Sequence, residues 1–177
     1  MTQPPYVMER IGVLMTADPA DPLESWGVLN PASARGRDGV LYLFPRLVAD
    51  GNVSRVGRAR VLFGGDGLPC GVERLGVVLE AQESWEKNSL GGGVEDPRIT
   101  FVPSLDHYLM AYTAYGPLGP RVAVAASRDL LHWERLGPVS YAYDATLVLV
   151  THDRRLLEAI SLSRTLHVDG GRVTERP

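Results

Sequence analysis

The sequence predicts an all-β protein of the β-propeller type, an incomplete one with about two to three blades. Three observations predict it. The middle of the chain repeats itself at an offset of 66 residues. Its apolar runs are short and are punctuated by Gly, Pro, Asn and Asp. Before residue 150 almost nothing has the spacing of an amphipathic helix.

In chain order, Tyr42-Leu43-Phe44 aligns with Tyr108-Leu109-Met110, an apolar strand in each copy. Ser54-Arg55-Val56-Gly57-Arg58-Ala59 aligns with Pro120-Arg121-Val122-Ala123-Val124-Ala125, an alternating strand with small residues. A turn follows each, Gly64-Gly65-Asp66-Gly67 in the first copy and Ser127-Arg128-Asp129 in the second. Gly76-Val77-Val78-Leu79 closes the first copy as a strand, and His132–Gly137 takes the equivalent place in the second. A repeat of roughly 60 to 70 residues with about four strands has the size of a propeller blade, and the chain holds about two and a half of them.

The tail differs. Leu147–Val150 reads as one more strand, Asp153–Ile160 has helix-like spacing, and Val168–Val173 reads as a small hairpin. No Tyr, Trp or Phe follows Tyr143. The expected organisation is blades over residues 1–145 and a divergent tail, truncated or frame-shifted, over 146–177.

Bulk properties set the class. The chain has 177 residues, 45% hydrophobic and 22% charged, which describes an ordinary globular protein with a sizeable core. A net charge of −3 gives no support to nucleic-acid or membrane-surface binding. No apolar run is long enough for a transmembrane helix. Met1-Thr2-Gln3-Pro4-Pro5 lacks the features of a signal peptide, so the cytoplasm is the expected compartment. Cys70 is the only cysteine, which excludes an internal disulfide and a Cys-based metal cluster, and it reads as a small loop or core residue. Lys87 is the only lysine among 18 Lys and Arg residues, a skew read as genome composition rather than function.

Gly91-Gly92-Gly93-Val94-Glu95-Asp96-Pro97-Arg98 concentrates the chemistry. It reads as a flexible glycine loop that runs into the strand Ile99–Val102, with Pro97 pushing Asp96 toward an extended conformation. Two carboxylates and a guanidinium at the mouth of a strand suit acid chemistry. The same residues also suit a tight turn whose Asp caps backbone amides and whose Arg neutralises it. Trp85, just upstream, suits either stacking on a ligand or packing in the fold.

These segments together resemble glycoside hydrolase family 130, the β-mannoside phosphorylases and related mannosidases. Leu29-Asn30-Pro31-Ala32 is similar to the family's early Asn-Pro segment. Asp38–Arg46 resembles its first-blade strand ending in Arg, and Val53–Ala59 its following Ser-Arg-Ile-Gly strand. Gly93–Thr100 is similar to its most specific signature, and Tyr108–Tyr115 and Ala125–Glu134 complete the series in order. The resemblance covers about residues 26–145.

The resemblance implies a five-bladed propeller and an inverting phosphorolysis of β-mannosides to mannose 1-phosphate. Asp96 would be the general acid, its proton relayed through a sugar hydroxyl. Inorganic phosphate would be the co-substrate and the nucleophile, so that no second catalytic carboxylate is needed, unlike the usual two-carboxylate scheme. Asn30, Arg46 and Arg55 would line the mannose subsite, with Glu95 and Arg98 orienting the Asp96 segment. No metal or other cofactor is implied. After Tyr143-Asp144-Ala145 the family's Lys and Phe-Pro are absent, and the remaining blades are not in the sequence. Open strand edges then predict a homo-oligomer or a complementing chain. Hydrolysis of β-mannosides, or mannoside binding without turnover, are the alternatives.

Overall fold

Along His107–Gly116 every second residue is turned inward: Tyr108, Met110, Tyr112 and Ala114 are buried, and the residues between them are half-buried or exposed. This period of two makes the segment a strand with one core face. It recurs one repeat earlier in Leu41–Ala49, where Tyr42 and Phe44 are buried. The computed structural model of the chain describes residues 9–139 and the strands Thr165–Asp169 and Arg172–Arg176.

Eight strands form one open sheet. The first four are β1 (Gly27–Arg35), β2 (Leu41–Ala49), β3 (Val53–Phe63) and β4 (Pro69–Leu79), an antiparallel meander. The next four are β5 (Gly92–Val102), β6 (His107–Gly116), β7 (Gly119–Ser127) and β8 (Glu134–Pro138), a second meander of the same form. A short parallel pairing, Val53 with Gly92 and Ser54 with Gly93, joins β3 to β5. Among the described residues the only helical segments are two short 3-10 turns, Asp50–Asn52 and Pro103–Leu105. The all-β prediction therefore holds, and the 66-residue repeat corresponds to the two meanders strand by strand. No helix of the described residues is long and apolar enough to cross a membrane.

The inner faces of the two meanders share one core. Phe44, Val56 and Leu79 from the first cluster with Val94, Met110 and Tyr112 from the second. Each fully buried large apolar side chain contributes about 1.5–3 kcal/mol. Ala114, Ala123 and Ala125 are fully buried too, and their small size leaves room for the larger side chains of the shared core. Phe44 meets Trp133 edge to face, with ring centroids 6.2 Å apart. Trp85 also packs against this core.

Each meander is stapled by a buried carboxylate that sequence patterning did not reveal. Glu24 accepts from Arg74 of β4 at 2.7 Å and from the Asp18 N–H at 2.9 Å. Glu86 accepts from Arg135 of β8 at 2.9 Å and from the Tyr112 hydroxyl at 2.7 Å. The N–H groups of Gln82 and Glu83 complete its shell at 2.9 and 3.1 Å. Burial pushes the Glu86 carboxyl up, but these hydrogen bonds outweigh it and hold the group below its ordinary value. Burial and the bond to Glu86 push the Tyr112 hydroxyl up in turn.

Three expectations need correction. Gly92 and Gly93 are not a flexible loop but the first residues of β5. They are glycine because the strand is packed too closely for a side chain. A Cβ on Gly93 would stand 2.4 Å from the Ser54 carbonyl oxygen, and one on Gly92 2.6 Å from that of Tyr115. Asp96 is not extended: its φ is 50°, because β5 is bulged between Glu95 and Arg98. Cys70 is neither in a loop nor in the core, but exposed on β4.

The chain divides into two units, Met1–Ser140 and Tyr141–Pro177. The second contains β9 (Thr165–Asp169) and β10 (Arg172–Arg176), an antiparallel pair with Asp169 opposite Arg172. That is the hairpin expected over Val168–Val173. The strand expected at Leu147–Val150 and the helix at Asp153–Ile160 lie outside the described residues.

Candidate active site

The first strands of the two meanders carry the same local feature. β1 breaks register between Leu29 and Ala32, and β5 between Glu95 and Arg98. The residues inside these bulges are Asn30-Pro31 and Asp96-Pro97, which are one repeat apart. Proline has no N–H to give to a ladder, and Asn and Asp are the residues that best tolerate positive φ after glycine. Asn30 has φ 45° and Asp96 φ 50°. Each bulge re-aims one polar side chain out of the alternation of its strand. The two meet: Asn30 Nδ2 donates to Asp96 Oδ1 at 3.0 Å.

Arg46 of β2 reaches the same place with all three of its guanidinium nitrogens engaged. Nη1 donates to Asp96 Oδ1 at 3.3 Å and Nη2 to Glu95 Oε1 at 2.8 Å. Nε donates to Ser54 Oγ at 2.9 Å, and the Ser54 hydroxyl donates on to Glu95 Oε1 at 3.1 Å. The Arg46 and Glu95 side chains are 15% and 9% exposed, whereas that of Asp96 is 33% exposed. The shorter, drier ion pair is therefore Arg46–Glu95, and Asp96 is the member that solvent or a ligand can reach. Both hydrogen bonds to Asp96 converge on Oδ1. Among the described residues Oδ2 has no partner, which leaves one carboxyl oxygen anchored and one free.

Of the residues singled out in the sequence, Asn30, Arg46, Glu95 and Asp96 come together. Arg55 and Arg98 do not join them. Ser54 lies on the Arg46 side of β3, so strand alternation turns Arg55 to the other face. There its Nε lies 3.6 Å from Glu80 Oε2, and its Nη1 is buried with no partner among the described residues. Arg98 is exposed and donates to the carbonyl of Pro97 at 2.7 Å. Ser54 is the residue that sequence reasoning passed over. The cross-strand register, Arg46 opposite Val56 and Val48 opposite Ser54, is what puts it on the Arg46 face.

Residues 19–161 match the sequence profile of glycoside hydrolase family 130, described as β-1,4-mannooligosaccharide phosphorylase. The chain belongs to glycoside hydrolase family 130. A solved member of this family of mannoside phosphorylases, which contains glycoside hydrolases that target β-1,2 mannosidic linkages in Candida mannan, is 27% identical. That match covers 78% of this chain and 45% of the other, with a TM-score of 0.56. A glycosyl hydrolase from Bacteroides ovatus is 31% identical over 66% of this chain and 32% of its own, with a TM-score of 0.54. The β-1,2-mannobiose phosphorylase of Listeria innocua, solved with β-1,2-mannobiose, shares the fold at 16% identity. It is matched over 66% of this chain and 46% of its own, with a TM-score of 0.50. No curated protein matches the chain. This family 130 chain thus spans about a third to a half of the length of the solved structures it matches.

Proposed function

We propose that this chain carries the acid and part of the mannose subsite of an inverting β-mannoside phosphorylase, with Asp96 as the general acid. The observation that carries the reading is the anchored-and-free carboxyl of Asp96. Oδ1 is fixed by Asn30 and Arg46, while Oδ2 has no partner among the described residues. A fixed carboxyl with one free oxygen is what proton delivery to a leaving group requires.

In the proposed reaction a phosphate oxygen attacks the anomeric carbon as the glycosidic C–O bond breaks. The proton on Oδ2 passes, through a sugar hydroxyl, to the departing oxygen. Asp96 is left as a carboxylate against the Asn30 amide and the Arg46 guanidinium, which stabilise the charge that proton loss creates. The open faces of Asn30 and Arg46 contribute polar contacts to the mannose. Phosphate is held by cationic groups of a second copy of the chain or of a complementing chain.

A hydrolytic variant of the same chemistry is favoured by one specific finding. The family structure 27% identical to this chain comes from a group that includes β-1,2-mannoside hydrolases. In that variant water replaces phosphate and free mannose is the product.

The test is an assay of the purified chain with β-mannobiose and phosphate, with Asp96→Asn as control. Mannose 1-phosphate is expected, and its formation should fall by about 10²- to 10⁴-fold in the variant. Free mannose with the same dependence on Asp96 would assign the hydrolase. Mannobiose binding with no turnover by either protein would refute catalysis and leave a binding module.

A further inference from the structure

We propose that Ser54 is a positioning residue, whose hydroxyl keeps the Arg46 guanidinium on Glu95 and so limits its hold on Asp96. The inference rests on the reading of Asp96 as the acid. Its geometry stands apart from turnover.

An acid and an arginine make awkward neighbours. A guanidinium placed squarely on a carboxyl favours the ionised form, which has no proton to give. In this site the fork is split. Arg46 lies 2.8 Å from Glu95 but 3.3 Å from Asp96. The difference is enforced from the third nitrogen, since Nε is tied to Ser54 Oγ at 2.9 Å and Ser54 is itself fully buried. The same hydroxyl donates to Glu95 Oε1 at 3.1 Å, so it fixes both partners of the stronger pair at once. Both hydrogen-bonding capacities of the hydroxyl are used within this triangle.

The other groups facing Asp96 leave Arg46 in control. β1 offers the neutral Asn30 amide. On β5 itself stand Glu95 and the exposed Arg98, which is turned to the Pro97 carbonyl. β6 brings Thr113 and Ala111 opposite the bulge, neither of them charged. On β3, Arg55 is paired with Glu80. Removing the Ser54 hydroxyl frees Arg46 Nε and takes a donor from Glu95. The guanidinium then turns toward the more exposed carboxyl, Asp96.

The experiment follows the side-chain carboxyl carbon of Asp96 by NMR through a pH titration of the full chain, assigned by its loss in Asp96→Asn. With Ser54→Ala the midpoint should fall, because a newly engaged guanidinium favours the ionised carboxyl. With Ser54→Thr, which restores the hydroxyl, the midpoint should return to that of the unsubstituted chain. In the unsubstituted chain the Arg46 Nε–H should exchange slowly with water, a measurement that needs no variant to fold. An unmoved midpoint in Ser54→Ala, or a fast-exchanging Arg46 Nε–H, would overturn the proposal. None of these readings requires product to form, so failure of the phosphorylase reading and failure of this one are separable.

Discussion

Replacing Arg135 by Met should destabilise the second meander through a group it does not itself contain. Glu86 is completely buried and Arg135 is 13% exposed, with 2.9 Å between them. Losing one partner of a buried ion pair costs about 3–5 kcal/mol, because the remaining charge stays out of water uncompensated. Glu86 keeps its bonds from Gln82, Glu83 and Tyr112, so the lower end, about 3 kcal/mol, is expected. For a chain of this size that corresponds to a fall in Tm of about 6–12 °C. The double variant Glu86→Gln, Arg135→Met should recover part of the loss, since no charge is then left buried. The sign of the pH dependence follows from the lowered Glu86 carboxyl. A carboxyl lowered by folding adds stability that is fully present above its ordinary value of 4.5 and is lost as pH falls through its folded value. On acidification Glu86→Gln should therefore lose less stability than the unsubstituted chain. Thermal unfolding followed by circular dichroism, at neutral pH and in an acid series, reads all three. An unchanged Tm for Arg135→Met at neutral pH would refute the reasoning.

Two further outcomes are expected. Gly93→Ala places a Cβ 2.4 Å from the Ser54 carbonyl at a φ of 114°, so urea unfolding should show a loss above about 2 kcal/mol. A smaller loss would mean that β3 and β5 separate easily. Asn30→Asp sets a second carboxylate where the amide now stands 3.0 Å from Asp96. Two carboxylates that close resist joint ionisation, so this variant should lose stability as pH rises above the ordinary carboxylate range. A difference from the unsubstituted chain that does not vary with pH would count against the contact.

The fold was legible where local pattern decides it. Alternating burial in β2 and β6 is written in Tyr42, Phe44, Tyr108 and Met110, and the offset between them marks the repeat. The glycines before Val94 do not announce a strand, because their reason is tertiary. Nothing local says that Ser54 and Tyr115 backbones will pass so close, and a run of glycine looks like a loop until they do. The extended conformation expected of Asp96 follows from Pro97, a rule that the bulge overrides. Most of the acidic cluster was legible through Asp96, Glu95, Arg46 and Asn30, because these sit in recognisable motifs. Ser54 is not, since its role depends on cross-strand register, and Arg55 separates from the cluster because alternation along β3 turns it to the other face. Glu24 and Glu86 were invisible for a simpler reason: a buried carboxylate and a solvated one have the same letter.

The equivalence of Asn30-Pro31 and Asp96-Pro97 has a chemical corollary. Two identical copies could not form the contact between them. A pair of aspartates would repel, and a pair of asparagines would hydrogen-bond, amide to amide, but hold no carboxyl. The bond exists because one copy ends in NH2 where the other ends in oxygen. Pseudosymmetry supplies two matching scaffolds pointed at each other. A single-group departure from it turns the seam between the repeats into a donor and an acid.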